Sequence, residues 1–182
     1  LVLSNATLQG GAFTINGTAV INDVVVNGAP DNAIMLRGEG AALTATNLTV
    51  TNAGEACLYS TCYECSVWPT IDLENTTLET CSDSGITLMN GSLTATNLVV
   101  QNNTGEYTGG IYLYDYCMAT LVDSTIGNNT TDGSYYAGGV ALAGDDSSVS
   151  LDHVDFIDNF AAGSPADLSH SFLDSEILGL GY

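Results

Sequence analysis

The chain has 182 residues, a single basic side chain (Arg37), 21 acidic ones and a formal charge of −20. Such a surface repels nucleic acid and anionic membranes, so neither is an expected partner, whereas cations and neutral or basic partners remain open. With 45% hydrophobic and only 12% charged residues the chain has enough apolar surface to offset chain entropy, which excludes disorder, and no stretch is long and apolar enough to span a bilayer as a helix, so membrane insertion is not expected.

Leu1–Gly10 alternates apolar and polar residues, slips phase at Asn5 and then alternates again; Gly11-Ala-Phe-Thr-Ile15 follows as a short Gly-led strand. Ala19–Gly28 repeats the slip at Asp23, and Ala33-Ile-Met-Leu36 repeats the short strand. Residues 42–53 (ALTATNLTVTNA) and 92–103 (SLTATNLVVQNN) are near copies slipping at Asn47 and Asn97. Between them lie Cys57-Leu-Tyr59, a poor short strand, Ile71–Cys81 with its slip at Asn75, and Gly85-Ile-Thr-Leu88. Gly110-Ile-Tyr-Leu113 precedes the copy at Ala119–Asn129 (Asp123), and Gly139-Val-Ala-Leu142 precedes that at Val149–Asn159 (His153). An eighth copy is aligned at His170–Gly179, with Asp174 at the slip.

These copies recur at roughly 18–30 residues, the period of a solenoid. Alternation of period two means a strand with one buried face. A slip that recurs at Asn or Asp means a bend, because these residues tolerate the left-handed conformation. Each copy therefore reads as strand, bend, strand, and the Gly-led segment adds a third strand per turn. The expected fold is all-β: one domain over residues 1–182, a right-handed parallel β-helix of about eight turns with three short strands each, about 38 Å long at a rung spacing of about 4.8 Å. An antiparallel sandwich is the alternative, but it does not explain why the slip returns at one polar column.

Gly10-Gly-Ala-Phe13, Gly109-Gly-Ile111 and Gly138-Gly-Val140, with Phe156-Ile-Asp-Asn159 and its variants Ile126…Asn129 and Val100…Asn103, resemble the GGA[ILV] and FxxN repeats of bacterial β-helix surface proteins of the polymorphic outer-membrane, adhesin-passenger type. The resemblance covers nearly the whole chain. It implies a β-helix at the cell surface, extracellular, with an adhesive function; the membrane barrel of the full-length relatives is not seen in this sequence. The polar column Asn5, Asp23, Asn47, Asn75, Asn97, Asp123, His153 and Asp174 also resembles the asparagine ladder of pectate lyases. That resemblance implies structural side chains stacked inside the bend and paired along the axis, which would hide the sequons at Asn5, Asn47 and Asn75. Further sequons occur at Asn16, Asn90, Asn102, Asn128 and Asn129.

Pectin-cleaving β-helix enzymes use basic side chains at the sugar carboxylate, or clustered Asp with His and a basic pair. Arg37 alone meets neither pattern, so no catalytic residue is assigned. Asp145-Asp146 and Asp152/Asp155/Asp158 are the carboxylate pairs considered. His153 and His170 are read as stack members rather than metal ligands. Asp155 and Glu176 are aligned in one outward column of adjacent turns, where like charges repel and a hard cation such as Ca²⁺ would relieve them; a solvated acidic face is the simpler reading, and no other cofactor is implied. Thr44-Ala-Thr46 and Thr94-Ala-Thr96 suggest a regular Thr array of the ice-binding kind, but Asp72 and Glu74 interrupt it. Of five Cys, disulfides among Cys57, Cys62, Cys65 and Cys81 are favoured over zinc or a redox CxxC, with Cys117 the odd one; this fits an oxidising compartment.

The chain starts at Leu1 without a basic-then-apolar leader, as a cleaved export signal or an excised fragment would leave it. Leu1-Val-Leu3 and the 176–182 segment read as repeat strands rather than caps, so the leading expectation is an extracellular structural subunit that stacks head to tail with copies of itself into a fibre. A monomeric adhesin and a carbohydrate-active enzyme are the alternatives.

Overall fold

A computed structural model of the chain describes residues 1–133, 136–170 and 176–178. It is an all-β parallel solenoid. The long rungs Val2–Gln9, Thr18–Asn27, Ala42–Thr51, Thr70–Glu79, the second part of Ile86–Gln101, the second part of Ile111–Gly127, and Ser148–Ile157 stack in sequence order, each parallel to the last. Register keeps like on like: Leu3, Ile21, Ala45, Leu73, Ala95, Leu121 and Leu151 form one column, and Leu8, Val26, Val50, Leu78, Val100, Ile126 and Phe156 another. From Ile21 to Leu151 the first of these columns is buried, and so is the second from Val26 to Ile126.

Each rung has two walls joined by a bend. At Asn5, Asp23, Asn47, Asn75, Asn97, Asp123 and His153 the backbone is left-handed, with φ between 48° and 54°. One left-handed residue reverses which side of the strand faces inward, which is the phase slip seen in the sequence. A second left-handed column, at Gly10, Gly28, Asn52, Thr80, Asn102, Asn128 and Asp158, ends each rung. The chain then turns into a third wall: Phe13–Ile15, Ile34–Arg37, Leu58–Thr61, the starts of Ile86–Gln101 and Ile111–Gly127, Val140–Ala143 and Leu168–His170. The upper turns add short strands Thr104–Gly105, Thr130–Thr131 and Phe160–Ala161, the last of which pairs antiparallel with Ser164–Pro165.

The glycine pairs that open the third wall sit where backbones nearly touch. A Cβ on Gly110 would lie 2.0 Å from the Gly139 carbonyl oxygen, and one on Gly138 would lie 2.4 Å from that of Phe160. No other residue fits there without moving the next turn.

Two expectations need correction. The described residues form seven rungs, about six full turns from the first rung to the last, rather than eight, because the chain's last copy was misaligned. Leu168–His170 belongs to the third wall, pairing with Val140–Leu142, and Glu176–Leu178 only begins a further rung by pairing with Ser148–Ser150. Asp174 lies outside the described residues. The second correction concerns the polar column. Asn5, Asp23, Asn47, Asn75, Asn97, Asp123 and His153 are all solvent-exposed on the outside of the bend, not stacked within it. The residue before each bend faces outward and the residue after it faces inward, and the left-handed bend residue between them keeps its own side chain in water.

Candidate functional site

The asparagines that do stack inside are Asn103, Asn129 and Asn159, all buried. Asn103 Nδ2 donates to Asn129 Oδ1 at 3.0 Å, Asn129 Nδ2 to Asn159 Oδ1 at 3.1 Å, and Asn159 Nδ2 to Asp167 Oδ1 at 3.0 Å. Each Oδ1 also accepts a backbone N–H: Cys81 to Asn103, Asn103 to Asn129, and Asn129 to Asn159. The Nδ2 atoms further donate to the carbonyls of Leu78, Val100 and Ile126. These are the asparagines of the FxxN motif and its variants. Their column holds Ala29, Ala53 and Cys81 in the lower turns, all buried. This ladder is structural, because every amide group in it is committed.

The outer bend column forms a looser ladder in water. Asn47 Nδ2 donates to Asp23 Oδ1 at 2.8 Å and Asn97 Nδ2 to Asn75 Oδ1 at 3.0 Å. His153 Nδ1 lies 2.8 Å from Asp152 Oδ1 and 3.9 Å from Asp123 Oδ1. The sequons at Asn5, Asn47 and Asn75 are consequently exposed, contrary to the expectation that pairing would bury them.

The acidic residues do not converge. Glu176 pairs in register with Ser148, while Asp155 lies opposite Thr125 on the second wall, so the two positions expected to share a cation do not fall in one column. The cause is the misaligned last copy. Asp152 lies on the first wall, Asp155 on the second and Asp158 at the second bend, each on a different surface. Among the described residues no three His, Cys, Asp or Glu side chains cluster closely enough to hold a metal ion. On the first wall Thr44, Asp72 and Thr94 stack, as do Thr46, Glu74 and Thr96, and all of these but Thr96 line a shallow groove. The two carboxylates interrupt the Thr array as the sequence implied.

Cys57 pairs with Cys81 and Cys62 with Cys65, leaving Cys117 as a buried thiol. Cys57–Cys81 joins neighbouring turns, and Cys81 occupies the internal ladder column just below Asn103. With these four sulfurs bonded in pairs, neither a zinc site nor a free dithiol remains. Cys117 sits at the register shift that follows Tyr114, where its thiol donates to the Leu88 carbonyl at 3.2 Å. Burial pushes its pKa up to about 12, so it is not a nucleophile near neutral pH.

The third wall differs in chemistry from the other two. Tyr59, Tyr112 and Tyr114 lie on its strands, Tyr116 lies at the register shift where Ile111–Gly127 leaves it, and Tyr63, Trp68, Tyr107 and Tyr136 lie on the loops that border it. All the tyrosines among the described residues, and the single Trp, are therefore on this face. Tyr107 stacks on Tyr112 with centroids 5.6 Å and planes 12° apart, and Trp68 stacks on Tyr116 at 5.7 Å. The Tyr63 hydroxyl donates to Met89 Sδ at 3.2 Å. Burial, followed by the neighbouring phenols, raises the Tyr112 pKa; the Asp115 charge, followed by burial, raises that of Tyr114. Tyr63, Tyr107 and Tyr116 keep much of their surface in water. The sequence reading did not single out this face. Its signal was present: outside the chain's last residue, every Tyr falls in or near one of the short third strands, Gly-led except at Cys57-Leu-Tyr59.

A family model described as right handed beta helix region matches residues 10–171. No curated protein and no solved structure matches the chain.

Proposed function

Because the chain belongs to the right-handed β-helix family, we propose that it works outside the cell as a rigid, non-catalytic binding rod, an adhesin-like module whose third wall is the contact surface. The observation that carries this is the segregation of side chains. The first and second walls present mostly Thr, Ser, Asn and acid, while exposed aromatic residues gather on the third. Tyr, Trp and Met are the residue types enriched where proteins bind partners. Two disulfides fit an oxidising compartment, and exposed sequons fit an exported chain.

The non-catalytic part rests on charge. Arg37 ends a third-wall strand, away from the carboxylates of the first-wall groove. An anionic polysaccharide would meet acid there with no cation to receive it. Oxidised protein incubated with polygalacturonate and with neutral glucans should release neither unsaturated uronides nor reducing ends. Turnover of either would replace this reading with an enzymatic one.

A second reading is end-to-end assembly. The outer edge of Val2–Gln9 is unpaired among the described residues, and Leu1 and Val2 are exposed at 61% and 74%. That edge is open to a further rung, from more of the same chain or from another copy. Light scattering over a concentration series with salt and calcium distinguishes them: growth supports the fibre, and a constant monomer mass removes it.

A further inference from the structure

Among the third-wall aromatics one group borders an open pocket. It has a volume of about 310 Å³ and is lined by Glu106, Tyr107, Asp132, Gly133 and Tyr136. Tyr107 lies flat on Tyr112, and Tyr136 stands across both, with planes at 67° to Tyr107 and 70° to Tyr112. Two ring surfaces thus meet at a corner, and two carboxylate-bearing residues complete the lining. Backbone bonds hold this corner. Thr131 Oγ1 donates to the Glu106 carbonyl at 2.9 Å and accepts from the Gly133 N–H at 3.1 Å. A Cβ on Gly133 would come within 2.8 Å of the Glu106 carbonyl oxygen, so only glycine lets the two backbones approach this closely.

Among the described residues neither carboxylate has an ion-pair partner. The ion pairs found among the described residues all involve His153. Arg37 is three third-wall strands away from Tyr112. Tyrosine rings present a negative face that attracts a cation within about 6 Å of the centroid. Ring faces, two uncompensated carboxylates and a surface of formal charge −20 all select for positive charge with apolar bulk.

We propose that this corner is a binding site for an organic ammonium group, seated against Tyr107 and Tyr136 and neutralised by Glu106 and Asp132. The inference deepens the binding-rod reading by naming the chemistry that one part of the third wall recognises. Two sources share that chemistry: a small methylated ammonium compound, and a lysine side chain of a partner peptide.

The test is a titration of the oxidised protein at constant ionic strength, followed by tyrosine fluorescence and NMR. The probes are tetramethylammonium, a lysine-containing tripeptide, and tert-butanol as a neutral molecule of similar shape. Saturable binding of a cation with Kd on the order of millimolar is expected, as is ordinary for so few atoms. Tyr107→Phe, which keeps the ring, should bind within about twofold of the parent; Tyr107→Leu should weaken binding about fivefold or more, and so should Glu106→Gln combined with Asp132→Asn. Tyr107 is half-exposed, so these variants should fold, and far-UV circular dichroism checks that they do. Preference for one cationic probe identifies the source. Equal binding of tert-butanol, unchanged binding by Tyr107→Leu, or no saturable binding of either cation overturns the proposal. The third wall as a whole is judged by a separate binding measurement, so failure here leaves that reading to stand or fall alone.

Discussion

Replacing Asn129 with Ala removes the centre of the internal ladder. Its amide nitrogen donates to Asn159 Oδ1 at 3.1 Å and to the Val100 carbonyl at 2.9 Å; its oxygen accepts from the Asn103 N–H at 3.1 Å and from Asn103 Nδ2 at 3.0 Å. Asn159 Oδ1 keeps the Asn129 N–H, and Asn103 Nδ2 keeps the Leu78 carbonyl. The Asn103 N–H, inside a fully buried residue, loses its acceptor. An orphaned buried donor costs about 1–3 kcal/mol and each of the three other lost bonds about 0.5–1.5 kcal/mol net, which gives roughly 2.5–7.5 kcal/mol in all. Urea unfolding of the oxidised protein, followed by far-UV circular dichroism, should show a lower midpoint with little change in slope. Asn97→Ala is the control. It loses one exposed hydrogen bond and places Ala at φ 52°, so it should cost only about 1–2 kcal/mol. If Asn129→Ala costs less than its control, the ladder does not hold the turns together as argued.

Other perturbations read other parts of the fold. Ser60 is buried in a column of Leu and Ile, and its hydroxyl has no partner; Ser60→Ala should therefore raise stability by about 1 kcal/mol in the same unfolding assay, whereas destabilisation would mean that the hydroxyl is paired. Removing the 24-residue link with Cys57→Ala and Cys81→Ala should lower stability by roughly 3–4 kcal/mol, and mass mapping of unreduced protein should show the two disulfides with Cys117 unlinked. Cys117 keeps its proton in the fold up to about 12, against 9.0 ordinarily. The unfolded chain thus releases that proton first as pH rises, so stability should fall above pH 9 by up to about 1.4 kcal/mol per unit, and Cys117→Ala should flatten that slope.

The walls were legible because a left-handed residue leaves a phase slip, and Asn47 and Asn97 sit in near-identical copies. The ladder was not placed correctly, although its residues were noticed in the FxxN motif. Both columns are rich in Asn, and what separates them is their other members. Asn103, Asn129 and Asn159 share a column with Ala29, Ala53 and Cys81, which tolerate burial; Asn5, Asn47 and Asn97 share theirs with Asp23, Asp123 and His153, which seek water. A column that mixes Asn with Ala and Cys points inward. The last copy failed for a different reason. Loop length varies between turns, so His170–Gly179 could be slid onto the template although His170 belongs to the third wall. That slip also produced the Asp155–Glu176 pair. The tyrosine face was missed because the residues that form it are scattered over 59–136 in sequence and come together only through stacking of turns.

The central claim is that the third wall binds. It is tested most directly by applying oxidised protein to one panel of immobilised proteins and polysaccharides in three forms: the parent chain, a third-wall variant carrying Tyr63→Ser, Tyr107→Ser and Tyr116→Ser, and a first-wall variant carrying Thr44→Ser, Asp72→Asn and Glu74→Gln. All six positions are exposed, so both variants should fold. Signals of the parent that vanish in the third-wall variant and persist in the first-wall variant are the expected result. Signals lost only in the first-wall variant would contradict the account and place the working surface in the groove of Asp72 and Glu74.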